Sequence, residues 1–337
     1  MLAYTETLNT VLAREHLDAH TMSSAVGSLI EGHWTPGQAG GFLTALAGKG
    51  ETFTELVGAA RALRERCIPV PHDLPLVIDV CGTGGDRAGT FNISTCAAFV
   101  VAACGVPVAK HGNRAASSRC GSADVLEALG VPIDASPEAA ARALQTNHFA
   151  FLFAPLYHPA MKAVAPLRKE LGVRTIFNIT GPLVNPARAS RQIIGVARDE
   201  HVEPVARALQ SLGIEEGAVF HARCGLDEIS GEAPTTIYRF GKSGVRRYEI
   251  DPLQFGIAAP RSALAGGDAA ANAAAMLAIL QGERSPRSDV VALNAALALE
   301  VAGRAASLAD GLALARAALK NGSAYAVFER ARTRGAQ

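Results

Sequence analysis

Several features are scarce in this 337-residue chain, and each scarcity closes a class of function. No uninterrupted apolar run approaches the roughly 18 residues of a membrane span, so no spanning helix and no membrane partner are expected. No basic tract or aromatic-interleaved patch stands out. The 32 Lys and Arg face 31 Asp and Glu, a net charge of +1, so nucleic acid is not an expected partner. The six cysteines, at 67, 81, 96, 104, 120 and 224, contain no Cys-x-x-Cys pair and mostly lie in apolar surroundings. They read as reduced core thiols, with zinc and disulfide roles set aside. The start, Met1-Leu2-Ala3-Tyr4-Thr5-Glu6, lacks a basic region followed by an apolar core, which makes the cytoplasm the expected location. No repeat or low-complexity tract is evident, although alanine is heavily used near 268–276.

What the chain does have is a glycine-dense loop at the end of an apolar run. Leu76 to Val80 drops into Cys81-Gly82-Thr83-Gly84-Gly85-Asp86, and an alanine-rich helix starts near Ser94. Three glycines in four residues let the main chain approach a ligand closely. Backbone amides and a helix N-terminus then converge on one spot, which suits an anion and above all a phosphate. Asn92, Ser94 and Thr95 add side-chain donors. The loop lacks the Gly-Lys-Ser/Thr ending of a Walker loop, and Arg87 stands where a dinucleotide fingerprint needs its third glycine. The plainer alternative is a strand-to-helix turn in which Asn92 or Ser94 merely caps the helix.

Hydrophobic periodicity and turn signals divide the chain. Residues 1 to about 70 read as four helices, near 5–15, 19–31, 36–48 and 52–66, ending in the Ile68-Pro69-Val70-Pro71 linker. From about 75, strands alternate with helices: a helix over 94–104, a strand over 106–110, a polar loop over 111–120 and a helix over 121–129. There follow a helix from Ser136-Pro137 to about 147, the strand Phe149 to Phe153, and a helix from Pro159 to Leu171. A further strand, helix and strand fall at 192–197, 200–212 and 218–221, before a hairpin near 235–249 and three C-terminal helices. The expected fold class is α/β: a small helical N-terminal domain over 1–72 and a larger α/β domain over 73–337 with a mainly parallel sheet covered on both faces. A segment near 170–190 is expected to join the helical domain.

Three more stretches could carry chemistry. Lys110-His111-Gly112-Asn113-Arg114-Ala115-Ala116-Ser117-Ser118, with Gly121-Ser122, leaves a strand at the edge where open α/β sheets bind ligands. Lys110 and Arg114 could neutralise phosphates there. At helical spacing, His158, Met161, Ala165 and Arg168 share one face, which would suit a flat acidic ligand gripped by the guanidinium. The plainer reading of Arg168 is a surface salt bridge. Asp227-Glu228, in Gly225-Leu226-Asp227-Glu228-Ile229-Ser230, could supply the one or two carboxylates that Mg²⁺ takes beside phosphate and water oxygens.

These stretches, with Thr175-Ile176-Phe177-Asn178 and Gly181-Pro182-Leu183, occur in an order that closely resembles the anthranilate phosphoribosyltransferase family over roughly 79–236. A weaker echo falls at Lys49-Gly50-Glu51-Thr52. The resemblance implies a nucleoside phosphorylase/phosphoribosyltransferase-like fold, usually a homodimer. It also implies transfer of phosphoribose from phosphoribosyl pyrophosphate to anthranilate in tryptophan biosynthesis. It assigns the donor to Gly82, Gly85, Asp86, Thr90, Asn92, Ile93, Ser94 and Thr95, completed by Lys110, His111, Gly112, Asn113, Arg114, Ala115, Ala116, Ser117, Ser118 and Ser122. Ser94, Asp227 and Glu228 would hold Mg²⁺, two ions in all. Gly82, Asn113 and Arg168 would contact anthranilate, with His111 and His158 lining the acceptor tunnel. The chain departs from the family pattern at Thr180, Ala222 and Cys224, and in the Ser230-Gly231-Glu232-Ala233 follow-on, which bears on the surroundings of the site.

The chemistry fits these residues without a general base, because an aromatic amine is neutral at pH 7 and pyrophosphate leaves readily once its charge is absorbed. The rival enzymatic reading, a pyrimidine nucleoside phosphorylase, expects Lys-x-Ser where this chain has Lys110-His111-Gly112. A non-catalytic nucleic-acid-binding paralogue sits badly with the near-zero net charge and the intact Asp227-Glu228 pair. A phosphoribosyltransferase acting on another aromatic acceptor stays open, since acceptor choice depends on tunnel shape.

Overall fold

The computed structural model describes residues 4–115 and 119–334. The first helices are α1 (Tyr4–Leu12), α2 (Ala19–Ile30), α3 (Pro36–Lys49) and α4 (Phe53–Glu65). Their starts follow from the sequence. Thr35 accepts from the amide of Gln38 while the Gln38 side chain accepts from the Thr35 amide, with Pro36 at the first helical position. Thr52 and Glu55 form the same reciprocal pair at α4, and Glu55 also takes the buried Lys49 ammonium at 3.0 Å.

The alternating part runs β1 (Ile78–Gly82), α5 (Ile93–Ala103), β2 (Val108–Gly112), α6 (Ser122–Ala128), α7 (Pro137–Asn147), β3 (Phe149–Phe153), α8 (Ala154–Tyr157), α9 (Ala165–Leu171), α10 (Phe177–Thr180), β4 (Arg191–Gly195) and α11 (Val202–Ser211). It continues through β5 (Glu216–Ala222), the hairpin β6 (Thr235–Gly241) and β7 (Gly244–Ile250), and the helices α12 (Ala269–Leu280), α13 (Pro286–Val301), α14 (Leu308–Lys320) and α15 (Ser323–Arg334). The seven strands form one sheet ordered β3-β2-β1-β4-β5-β6-β7. The first five are parallel and the hairpin strands are antiparallel. The mainly parallel sheet read from the sequence is therefore present.

Alternation along the strands divides the core. Ile193 and Phe220 point into a cluster with α5 and the wholly buried middle of α13, while Ile194 and Val219 point into a second cluster with α2, α3, α4 and α11. Ile176, Phe177 and Leu183 share that second cluster, and Leu167 and Leu171 lie against Gly40. Among the described residues no helix is long and apolar enough to cross a membrane.

Three sequence expectations need correction. The helix expected over Pro159 to Leu171 is broken into a 3-10 turn over Pro159–Ala163 and α9, because Val164 closes the turn and Pro166 cannot donate to a continuous ladder. Strand β2 ends at Gly112, two residues later than expected, because Lys110, His111 and Gly112 pair with Phe151, Leu152 and Phe153. The C-terminal helices number four among the described residues, since α14 stops at Lys320 and Gly322, at φ 79°, turns the chain into α15.

Candidate active site

Parallel strands deliver their following loops to one edge of the sheet, and the glycine loop after β1 meets the loop after β5 there. Asp227 Oδ2 accepts from the Gly84 amide at 2.7 Å, and Glu228 Oε1 accepts from the Ser94 amide, at the N-terminus of α5, at 3.0 Å. The approach depends on missing side chains. A Cβ at Gly82 would lie 2.6 Å from Asp227 Oδ2, and one at Gly195 would collide with the Asp227 carbonyl.

The Asp227-Glu228 pair is not a free surface turn: Glu228 is buried, Asp227 is half-buried, and both side chains accept from backbone amides. Burial pushes the Glu228 carboxyl up to about 7, against the pull of the Lys110 charge. Burial, then the neighbouring Asp86 and Glu228 charges, holds Asp227 well above the usual carboxylate range. Asp86 Oδ2 is buried with no hydrogen-bond partner. Mutually repelling carboxylates beside an unpartnered acceptor fit a cation. Among the described residues, however, no three His, Cys, Asp or Glu side chains form a ready-made metal cage. A set this sparse suits Mg²⁺, which completes its shell with phosphate and water oxygens.

The remaining expected residues fall into place unevenly. Asn92 makes no side-chain cap. Its amide donates to Cys120 O at 3.2 Å and its carbonyl accepts from Asn272 at 2.9 Å, so it ties the loop to the segment before α6 and to α12. Ile93 and Thr95 are buried in α5, and Thr90 bridges to Ala265. Lys110 is 2 % exposed, with its ammonium held by Val80 O at 2.6 Å and Ser94 Oγ at 3.3 Å, so it forms part of the floor under Ser94. Arg114 is engaged elsewhere, at 2.8 and 3.0 Å to Glu127 and 3.0 Å to Asp124. Asn113 and Ser122 meet through the Ser122 hydroxyl, which donates to Asn113 O at 3.2 Å; Gly112 packs too close to that hydroxyl for a side chain. The Ala115 amide is bound by Asp124 at 2.9 Å. Ala116, Ser117 and Ser118 lie outside the described residues.

His111 and His158 come together, with ring centroids 5.1 Å apart, both buried and each with an unpartnered Nε2. Burial lowers their pKa values to about 3 and about 4. Both are neutral at pH 7 and can line a pocket for an aromatic ring. An unfolded chain would protonate them near 6.5, so it binds more protons than the folded chain below that pH, and stability is lost as pH falls. Between pH 8 and pH 5 each should cost about 2 kcal/mol. Denaturant unfolding of wild type and of His111→Gln with His158→Gln should therefore differ in pH dependence by about 4 kcal/mol over that range. Equal pH dependence in the two proteins would show that the folded protein takes up protons on these rings as readily as the unfolded chain.

Arg168 is half-buried, and among the described residues its guanidinium makes no ion pair or hydrogen bond; it lies over the Phe177 ring at 5.8 Å. The surface salt bridge is absent. So is the continuous helical face that grouped Arg168 with His158, Met161 and Ala165, because the helix is broken between them.

Sequence reasoning passed over Arg174, whose guanidinium donates to Gly84 O and Gly85 O at 3.1–3.3 Å. It also passed over the buried Asp79, bound by Asn185 at 2.7 Å and pushed up to about 6 by burial. Arg174 precedes the Thr175-Ile176-Phe177-Asn178 motif, which was the available signal. Of the departures, Thr180 satisfies its hydroxyl on Ile176 O at 3.2 Å, and Cys224 lies 3.3 Å from Ser230 Oγ. Ala222 is buried in β5.

Comparison with known proteins agrees with this geometry. The "Glycosyl transferase family, helical bundle domain" matches residues 5–67, and the "Glycosyl transferase family, a/b domain" matches residues 74–325. An anthranilate phosphoribosyltransferase of Thermomicrobium roseum is 51% identical, over 96% of this chain and 94% of the relative. The crystal structure of that enzyme from Thermus thermophilus superimposes with a TM-score of 0.93 at 43% identity, covering 98% of this chain and 99% of the other. The Saccharomyces cerevisiae enzyme in complex with phosphoribosyl pyrophosphate and Mg gives 0.90 at 26% identity, covering 99% and 98%.

Proposed function

Since the chain belongs to the anthranilate phosphoribosyltransferase family, which transfers the 5-phosphoribosyl group from phosphoribosyl pyrophosphate to anthranilate, we propose the following division of labour among its residues. The observation that carries it is the junction at Ser94, where the α5 N-terminus, Glu228 and Lys110 meet beside the Asp227-clasped glycine loop. The loop amides and the α5 N-terminus bind the pyrophosphate of the donor. Ser94, Asp227 and Glu228 hold Mg²⁺, two ions in the full complex; when bound, the metal neutralises charge developing on the departing pyrophosphate. Arg168 and Asn113 orient anthranilate by its carboxylate, and the neutral His111 and His158 rings flank it.

As the bond from ribose C1 to pyrophosphate opens, the anthranilate nitrogen supplies the electron pair for the new C1–N bond and afterwards sheds a proton to solvent. Positioning of the two substrates and electrostatic stabilisation of the leaving group carry the rate, with no general base. The helical part over 1–72, the α/β part over 73–337 and their junction near 170–190 belong to the same proposal. The contact of Leu167 and Leu171 with Gly40 supports that junction. The homodimer is part of the same proposal, and sedimentation velocity tests it directly. Loss of anthranilate fluorescence on mixing the protein with phosphoribosyl pyrophosphate and Mg²⁺ tests the reaction. Unchanged fluorescence with anthranilate, but turnover with another aromatic amine, would reassign the acceptor.

A further inference from the structure

The glycine loop is held from outside. Arg174 sits between α9 and α10, where Asn178 Oδ1 takes the Thr175 amide at 2.9 Å and Ile176 is fully buried, so the base of its side chain is fixed. From there it crosses to the loop and donates to Gly85 O at 3.1 Å and to Gly84 O at 3.3 Å from both terminal nitrogens. The guanidinium fills the space that a Cβ at Gly85 would occupy. Gly84 and Gly85, at φ 67° and 80°, adopt a left-handed backbone that costs glycine no Cβ clash.

Trans peptide geometry turns this grip into a consequence. In a planar trans peptide the carbonyl of one residue and the amide of the next point in opposite directions. Holding the Gly84 and Gly85 carbonyls therefore aims the Gly85 and Asp86 amides away from Arg174, side by side. Among the described residues neither amide has an acceptor, whereas the preceding Gly84 amide is taken by Asp227. One residue, Gly84, is thus clasped on both sides, by Asp227 at its amide and by Arg174 at its carbonyl, and the two following amides are left open.

We propose that Arg174 is a positioning residue for the phosphoribosyl donor: it acts through the Gly84 and Gly85 carbonyls to hold the Gly85 and Asp86 amides ready for a phosphate oxygen. The inference rests on the reaction assigned above. Arg174 stands six residues beyond Arg168, so one short segment carries a group for each substrate. Its effect should nonetheless fall on the donor alone.

Calorimetric titration of the full-length protein with phosphoribosyl pyrophosphate and Mg²⁺, without acceptor, tests it in wild type, Arg174→Gln and Arg174→Lys. A fork that spans two carbonyls is not replaced by a point charge. Both variants should bind the donor at least tenfold more weakly, while the anthranilate KM and the turnover at saturating donor stay within threefold of wild type. Recovery in Arg174→Lys to within twofold of wild type would overturn the proposal in favour of simple charge attraction. Equal rises in both Michaelis constants would also overturn it, by showing a general disturbance of the site. Unaltered donor binding in both variants removes Arg174 alone, whereas a wild-type protein that binds no donor removes the assigned reaction, and this inference with it.

Discussion

Asp227→Asn combined with Glu228→Gln should lower turnover by on the order of a thousandfold or more at saturating Mg²⁺, while the protein still unfolds cooperatively. The isosteric amides are the informative change. Each carboxylate also accepts a backbone amide, Gly84 for Asp227 and Ser94 for Glu228. Alanine would remove charge and anchor together, and each lost anchor, a hydrogen bond to a carboxylate, is worth about 1.5 to 3 kcal/mol. The amide variants keep an acceptor oxygen and remove only the charge that a cation needs. Losing one preorganised electrostatic contact to a developing charge typically costs about 100- to 1,000-fold, and here two go together. Near-normal turnover of the double variant would exclude the metal assignment. Loss of turnover accompanied by loss of cooperative unfolding would point to loop anchoring instead.

Arg168→Ala should raise the KM for anthranilate roughly ten- to a hundredfold and leave that for phosphoribosyl pyrophosphate nearly unchanged. The basis is the state of the guanidinium: half-buried, over the Phe177 ring, and without a carboxylate among the described residues. Burial lowers its pKa, the signature of a charge whose partner is missing. A hydrogen bond to a charged group contributes about 1.5 to 3 kcal/mol, which is the source of that range. Arg168→Lys should rescue poorly, because an ammonium cannot grip a carboxylate with two parallel bonds. Steady-state kinetics with each substrate varied in turn reads the effect. A change in the anthranilate constant below about threefold would mean that Arg168 does not hold the acceptor.

Local signals made much of the fold legible in advance. Thr35-Pro36, Thr52 and Ser136-Pro137 start their helices as their side chains dictate, and the apolar run Phe149–Phe153 is the whole of β3. What escaped depended on partners distant in sequence. The end of β2 is set by pairing with β3, which draws Lys110 into the sheet, and nothing near Lys110 announces that Val80 O and Ser94 Oγ will take its ammonium. The pair Asp227-Glu228 looks like any acidic surface turn until Gly82 and Gly195 let it sink against the strands. Arg174 grips carbonyls about 90 residues away, a contact that no periodicity encodes. Conversely, the helical face from His158 to Arg168 does not form: Pro159 and Pro166 outweigh the spacing of the polar residues.

Gly195 ends β4, distant in sequence from every proposed ligand, yet the Asp227 carbonyl occupies the volume of its absent methyl group. One added carbon at 195 would overlap the Asp227 carbonyl where it now lies, so the end of β4 or the turn that carries Asp227 must shift. Such a protein would keep every side chain proposed to contact substrate or metal, and its turnover should nonetheless fall, which steady-state kinetics reads. In surveys of natural or laboratory variants, a Gly195→Ala chain would pass any check on catalytic residues and be scored as intact. A ranking of substitutions by their distance from contacting side chains would underestimate this position, because the residue contributes by the space it leaves empty.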